Sequence, residues 1–223
     1  WNYVEEYGER SQAALLTLGW SRDSRDNALA PTRGRYQRLS AEFALPALDQ
    51  RYYRATYQIT QYLPLSRSWT LGLNMQVGYG DTYGDEMYPF FKNFYAGGIG
   101  SVRGFESSSL GPRDSNGDSL GGDREFVFSA ELLTPLPGAD RTLRGLLFFD
   151  AGNVWGYKGT RDSSGHVHYD HESIDFGNLR YSVGFGIAWI SPLGPLKFSL
   201  AFPLNEEEGD DTQRFQFQIG TGF

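Results

Sequence analysis

The chain has 223 residues, a formal net charge of −7, 28 glycines, 16% aromatic residues and no cysteine. Without cysteine there can be no thiolate zinc site, iron–sulfur cluster or disulfide framework. The acidic balance argues against nucleic acid as a partner, because phosphate binding needs a clustered basic surface. No apolar run reaches the roughly 20 residues that a membrane-spanning helix needs.

Apolar and polar side chains alternate with a period of two through most of the chain, without a convincing helical stripe. This period predicts strands with one apolar face and one polar face. In chain order, the alternating segments are 15–21, 38–45, 53–60, 69–79, 125–132, 143–154, 181–189, 196–202 and 215–223. We therefore expect nine amphipathic strands, the last of which runs to Phe223.

The length of these segments distinguishes a membrane barrel from a soluble sandwich. Several apolar rows, such as the one from Trp69 to Tyr79, continue for about 10 residues, whereas ordinary strands are nearer 5 or 6. Aromatic residues also stand near the strand ends, as in the girdles of membrane barrels. The sequence predicts an all-β fold, a fragment of an antiparallel transmembrane β-barrel with about nine strands.

The connections between the strands alternate in length. Short, turn-rich links at 63–66, 135–138 and 191–195 alternate with long polar links at 80–124, 156–178 and 205–213. Outer-membrane barrels place short turns in the periplasm and long loops outside, so we expect a periplasmic C-terminus. The link 22–34 is an exception, because it is long for a periplasmic turn.

The odd number of predicted strands also indicates whether the chain holds a whole barrel. Bacterial single-chain barrels have an even number of strands, so we expect this chain to lack at least one strand and an N-terminal half. If the chain folds alone, its open strand edges must be paired, and self-association with a second copy is one way to pair them.

A glycine-rich loop carries the most specific pattern of the sequence. It contains Tyr-Ala-Gly-Gly, Ser-Val-Arg-Gly-Phe and Leu-Gly-Pro between Tyr95 and Pro112. With the stretches 130–135, 148–155 and 191–196 and the ending 216–223, it resembles the BamA family, the central subunits of the outer-membrane β-barrel assembly machinery. The likeness covers nearly the whole chain, as the second half of a sixteen-stranded barrel.

The resemblance implies a domain organisation. Residues 1–223 are expected to be the C-terminal part of an outer-membrane barrel domain, with no POTRA domains present. Residues 81–124 are expected to form a long extracellular loop that folds into the lumen.

The resemblance also implies a site. In the family the loop arginine meets acidic residues of the barrel wall, which here corresponds to a clamp of Arg103, Glu131 and Asp150. Strand alternation independently puts Glu131 and Asp150 on the polar face, where one guanidinium can bind both carboxylates. The loop motif itself consists of Val102, Arg103, Gly104 and Phe105.

The function implied by the resemblance is the insertion of client barrel proteins into the outer membrane, without ATP or covalent chemistry. A lateral seam at the C-terminal strand would offer its edge to the client by β-augmentation. The seam residues are Phe217, Ile219, Gly220 and Phe223. The implied partners are unfolded outer-membrane protein clients, accessory lipoproteins and the lipid bilayer. The alternative is a polypeptide-exporting pore of the two-partner secretion type, because such pores carry similar loops.

Enzyme and metal interpretations have less support in the sequence. Glu131 and Asp150 could be the acid and nucleophile of a glycosidase, but a clamp around an arginine is simpler. The segment 114–118 with Glu125 resembles a calcium loop, yet a serine occupies the position that needs glycine. A polar loop holds three histidines, which are His166, His168 and His171. We expect no enzyme activity, no metal and no cofactor.

Overall fold

The computed structural model describes residues 12–83, 88–114, 116–138, 142–161, 167–192, 194–207 and 209–220, with the backbone alone for 157–161 and 167–171. Within these residues the strands, numbered in chain order, are β1 Ala14–Asp23, β2 Gly34–Leu45, β3 Tyr52–Pro64, β4 Thr70–Thr82, β5 Gly104–Phe105, β6 Arg124–Pro135, β7 Leu143–Trp155, β8 Tyr157–Arg161, β9 Val167–His171, β10 Arg180–Ser191, β11 Gly194–Pro203, β12 Thr212–Gln213 and β13 Phe215–Ile219. Two single-turn 3-10 helices, Phe90–Lys92 and Phe176–Asn178, lie in the connections. No helix in the described part of the chain is both long and apolar enough to cross a membrane.

Nine of these strands form one sheet, in which every neighbouring pair is antiparallel. Their order in the described residues is β1-β2-β3-β4-β6-β7-β10-β11-β13. The sheet does not close on itself, so within the described chain β1 and β13 are its two edges. The prediction of an all-β, nine-stranded antiparallel barrel fragment is confirmed.

The two faces of the sheet differ in polarity. Register brings large apolar side chains together on the outer face, as for Trp20 opposite Leu39 and Ile187 opposite Phe198. These four side chains are all exposed, by 39% to 50%. A continuous exposed apolar face of this kind is typical of strands that contact lipid. The inner face carries polar side chains and glycines, and it is where the site lies.

Connections of different length lie at the two ends of the sheet. We call the end with 24–33, 65–69, 136–142 and 192–193 the short-turn end, and the end with 46–51, 83–123, 156–179 and 204–214 the long-loop end. The link 156–178, predicted as a long polar connection, contains the paired strands β8 and β9, in which Tyr157 is opposite His171. Its strands include aromatic and β-branched residues, which favour extended backbone.

Within the described residues, the last strand ends earlier than predicted. β13 ends at Ile219, because Gly220 has φ +110°, in the left-handed region. The N–H of Gly220 still donates to the carbonyl of Pro195, the next residue of β11 in the same register, at 2.9 Å. Glycine adopts this conformation without steric cost, so the extended backbone stops there. Residues 221–223, with Phe223, lie outside the described residues.

Candidate functional site: an arginine clamp inside the sheet

The connection 83–123, which we call the β4–β6 loop, packs onto the inner face of the sheet. Five of its apolar side chains are buried against two valines of the wall, although they belong to a loop. The members of this cluster are Phe94, Ala96, Val102, Phe105 and Leu110 of the loop, with Val127 of β6 and Val154 of β7. Burial of this many apolar side chains stabilises the folded-in loop, because each removes apolar surface from water.

Glycines of the wall provide the space into which the loop fits. A Cβ atom at Gly78 would lie 2.6 Å from the ring of Phe94, and one at Gly152 would lie 2.8 Å from Cγ2 of Val102. A Cβ atom at Gly80 would overlap the ring of Tyr88 in the same way. These three wall positions therefore have no room for a side chain while the loop is in place.

Arg103 lies at the centre of the packed loop and is 2% exposed. Its Nε and Nη2 donate to the two carboxylate oxygens of Asp150 at 2.6 and 2.7 Å, and its Nη1 donates to Oε1 of Glu131 at 2.6 Å. The backbone N–H of Arg103 also donates to Asp150, at 3.1 Å. The structure thus brings the three predicted residues together, and we call them the Arg103 clamp.

Two further polar residues belong to this arrangement and were not predicted. The hydroxyl of Ser129 accepts from Nη2 of Arg103 at 3.0 Å and donates to Asp150 at 2.7 Å. Nζ of Lys197 donates to Oε1 of Glu131 at 2.6 Å. The clamp with Lys197 therefore contains two cationic and two anionic side chains in hydrogen-bonded contact. Such mutual pairing is what permits charges to be buried.

An aromatic ring supports the guanidinium from one side. The central carbon of the Arg103 guanidinium lies 3.5 Å from the centroid of the Phe148 ring, in a cation–π contact. A Cβ atom at Gly184 would overlap that ring and the backbone of Leu200, so the glycine is what lets the ring lie flat. Burial alone would lower the pKa of Arg103, but hydrogen bonds to Asp150 and its charge pairing with Glu131 raise it, so the guanidinium stays charged.

The loop is also joined to the last hairpin of the sheet. β5, which contains the loop motif's Gly104 and Phe105, pairs antiparallel with β12. The N–H of Glu106 donates to the carbonyl of Asp211 at 2.8 Å. The buried amide of Gln216, on β13, donates to the carbonyl of Phe105 at 2.6 Å. The clamped loop and the C-terminal strand are therefore directly linked.

The sequence matches the Omp85 superfamily domain over residues 1–223. The chain belongs to the Omp85 superfamily. This Omp85 chain is 48% identical, over 93% of its length, to the outer membrane protein assembly factor BamA of Neisseria meningitidis serogroup B. It is 32% identical, over 99% of its length, to the protein of the same name from Nitratidesulfovibrio vulgaris. The chain spans 28% and 27% of the length of these two relatives.

A solved structure agrees with these sequence relatives. The crystal structure of BamA from Haemophilus ducreyi lacking POTRA domains 1-3 matches the Omp85 chain with a TM-score of 0.78 and 29% identity. The match covers 91% of this chain and 41% of that one. The predicted resemblance to the BamA family is confirmed. Both sequence relatives are named as assembly factors rather than as enzymes.

The predicted seam residues lie on and just after β13, whose Gln218 is directly opposite Lys197 of β11. Phe217 and Ile219 point to the outer face of β13 and are 61% and 67% exposed. Gly220 follows the strand with φ +110°, and its N–H still donates to the carbonyl of Pro195 in β11. The structure therefore places the three described seam residues at the edge of the sheet, while Phe223 lies outside the described residues.

The segment that resembles a calcium loop forms a closed turn. The carboxylate of Asp114 accepts backbone N–H groups of Asp118 and Asn116, which hold the pKa of Asp114 below its ordinary value. Glu125 lies instead in β6, where the amide of Gln76 donates to it at 3.0 Å. Among the described residues, no group of three or more His, Asp or Glu side chains could hold a metal ion. His166 and the side chains of His168 and His171 lie outside the described parts.

Proposed function

We propose that this Omp85 chain is the C-terminal part of an outer-membrane barrel that assembles and inserts other β-barrel proteins into the outer membrane. The observation that carries the proposal is the 48% identity to an assembly factor in a chain whose loop arginine is buried between two wall carboxylates. The relatives named above are assembly factors, which favours assembly over a two-partner secretion pore. Since both clamp carboxylates are held by cations, a structural role also accounts for them better than catalysis.

The proposal includes a location and an orientation. The exposed apolar face contacts the lipid of an outer membrane. The long-loop end faces the outside and the short-turn end faces the periplasm, as is usual for barrels of this kind. Residues 81–124 are then the extracellular loop that enters the lumen, and the C-terminus is periplasmic.

The edge strand β13 is the part of the molecule that would meet a client. It pairs with β11 over five residues, from Leu196 opposite Ile219 to Leu200 opposite Phe215, which is the shortest ladder in the nine-stranded sheet. When the outer edge of β13 is released from its neighbour in the closed barrel, it presents backbone N–H and C=O groups to which an incoming strand can add. Gly220 lets the end of the strand leave the sheet at little cost. Unfolded outer-membrane protein clients therefore bind at this edge.

The clamp has a supporting role in this function. It keeps the β4–β6 loop inside the barrel, and through β5, β12 and Gln216 the loop holds the last hairpin. Accessory lipoproteins, which the resemblance implies as partners, complete the machinery outside this chain.

Complementation tests the proposed function. The full-length protein that contains this chain is expressed as the only assembly factor in a Neisseria strain depleted of its own BamA. We expect it to restore growth and the folded, heat-modifiable form of client barrel proteins. Restored export of one partner polypeptide without client folding would contradict the proposal and favour a secretion pore.

A further inference from the structure

The connection between β1 and β2, residues 24–33, differs from the other links at the short-turn end. Among the described connections there it is the longest. We call it the β1–β2 turn. The function proposed above does not use it, although a two-residue link would suffice to join two antiparallel strands.

The β1–β2 turn has a defined shape because its own side chains bind its backbone. Oδ1 of Asp26 accepts the N–H of Thr32, and Oδ1 of Asn27 accepts the N–H groups of Leu29 and Ala30, all at 2.9 Å. Burial raises the pKa of Asp26, but the hydrogen bonds from Thr32 outweigh it and lower the pKa to about 2. At neutral pH the carboxylate is therefore charged and accepts hydrogen bonds from both the backbone and the hydroxyl of Thr32.

A buried arginine of a distant strand holds this turn in place. Arg144 lies on the inner face of β7 and is 7% exposed. Its Nη2 donates to the carbonyl of Ala30 at 2.7 Å and its Nη1 to the carbonyl of Pro31 at 3.0 Å, across 114 and 113 residues of sequence. Four strands separate β1 from β7 in the sheet. The turn must therefore reach across the short-turn end of the lumen to make these contacts.

Little space remains between the turn and the clamp. A cavity of about 40 Å³ separates them, which is room for a few ordered waters. Residues of the turn, of the wall and of the clamp all line it, and among them are Leu29, Pro31, Tyr62, Leu146, Glu131 and Lys197. A larger space of about 210 Å³ lies on the other side of the clamp, lined by Arg103, Glu131 and Gln218 among others. The β1–β2 turn therefore closes the short-turn end below a lumen that is open beside the clamp.

A closed short-turn end matters because of the size of the barrel. Barrels of about 16 strands are wide enough to leave an aqueous channel unless something occupies them. We propose that the β1–β2 turn, held by Arg144, is a plug for the short-turn end of the lumen that keeps small hydrophilic solutes from passing through the full barrel. This inference rests on the proposed function only in that the chain is part of a closed membrane barrel.

Conductance of the purified full-length protein in planar lipid bilayers tests the plug. Arg144→Ala frees the turn, and we expect the ion conductance to rise several-fold. The matched control is Arg33→Ala, which changes an exposed arginine of the same turn and should leave the conductance at the wild-type level. A second variant replaces residues 27–31 by two glycines, which removes the plug and leaves Arg144 intact.

The two variants make the outcome decisive. If Arg144→Ala does not fold, the shortened turn alone must raise the conductance. Wild-type conductance in a shortened-turn protein that shows normal heat modifiability would overturn the proposal. Client assembly is measured separately on the same variants. A leaky variant that still assembles clients supports the plug, and failure of wild-type complementation would count against the proposed function alone.

Discussion

The clamp and the last strand are held in opposite ways. At the clamp, one guanidinium contacts two carboxylates, a hydroxyl and an aromatic ring in a buried setting. At the edge, β13 pairs over five residues with one neighbour, and its outward side chains are exposed. The comparison teaches that the loop is held by one compact cluster of buried charges, whereas β13 is held by a short ladder of separate backbone hydrogen bonds.

The two regions also differ in how the free energy of opening is divided into steps. Removing one partner of a buried ion pair costs about 3–5 kcal/mol, because the other charge is left without compensation. A backbone hydrogen bond has a net value of about 0.5–1.5 kcal/mol, so each step of opening the β13 ladder is small. Under the proposed function, a client strand would replace those bonds one by one, whereas no group of a client strand would replace the clamp.

Of the substitutions considered, Arg103→Ala is expected to destabilise the packed loop most. It leaves Asp150 buried without a cation, which should destabilise loop packing by about 3–5 kcal/mol. The rate of protease cleavage within the β4–β6 loop of the full-length protein measures the opening, and client assembly should fall with it. Arg103→Lys is the control that keeps the charge and loses the paired hydrogen bonds. Its rate of loop cleavage should lie between those of the wild type and of Arg103→Ala. Wild-type cleavage and assembly in the alanine variant would show that the clamp does not hold the loop.

Lys197→Met should have the next largest effect. The methionine keeps the volume of the side chain but removes a charged donor from Glu131, at a cost of about 1.5–3 kcal/mol. The unfolding temperature should fall, and the rate of protease cleavage in the loop should rise, by less than in Arg103→Ala. Equal or greater damage than in Arg103→Ala would mean that Lys197, and not the loop arginine, is the main partner of Glu131.

Gly78→Ala tests the fit of the loop without changing any charge. The added methyl group would lie against the ring of Phe94, and overpacking of this kind costs about 1–3 kcal/mol. Loop cleavage should become faster while β13 stays paired. Gly19→Ala is the matched control, since nothing lies within 4 Å of a Cβ atom at that strand position. Similar behaviour of the two variants would argue against a close fit at Gly78.

Gln216→Ala should have the smallest effect and addresses the link between the two regions. It removes one side-chain hydrogen bond to the loop, worth about 0.5–1.5 kcal/mol. Amide hydrogen exchange should become faster in β13 and at Glu106, with the clamp unaffected. The control is Gln218→Ala, two residues further along the same strand face, which should leave amide exchange in β13 and at Glu106 at the wild-type rate. Unchanged exchange in β13 would mean that the loop does not stabilise the seam strand through this contact.

Much of the fold could be predicted because alternation is a local signal. The period of two gave the nine strands and their lipid-facing rows, and it placed Glu131 and Asp150 on the inner face. The same argument was available for Lys197, since Leu196 and Phe198 on either side of it face outward. Lys197 was not predicted because the family resemblance implied only Arg103, Glu131 and Asp150 as clamp residues.

Other features have no local signal. The support of Arg103 by Phe148 depends on Gly184 of a neighbouring strand, and no sequence period connects those two residues. The pairing of β5 with β12 joins two short segments more than 100 residues apart. The early end of β13 depends on the backbone conformation of Gly220, which a glycine permits but does not require.

The contacts of the β4–β6 loop also constrain the order in which the protein can fold. Arg103 binds Asp150, which lies 47 residues later in the sequence, and the carbonyl of Phe105 accepts from Gln216, which lies 111 residues later. Contacts between such distant residues form slowly, because the intervening chain must first be brought together. The complete set of contacts of the loop therefore exists only once β13 has joined the sheet, since Gln216 is one of its partners.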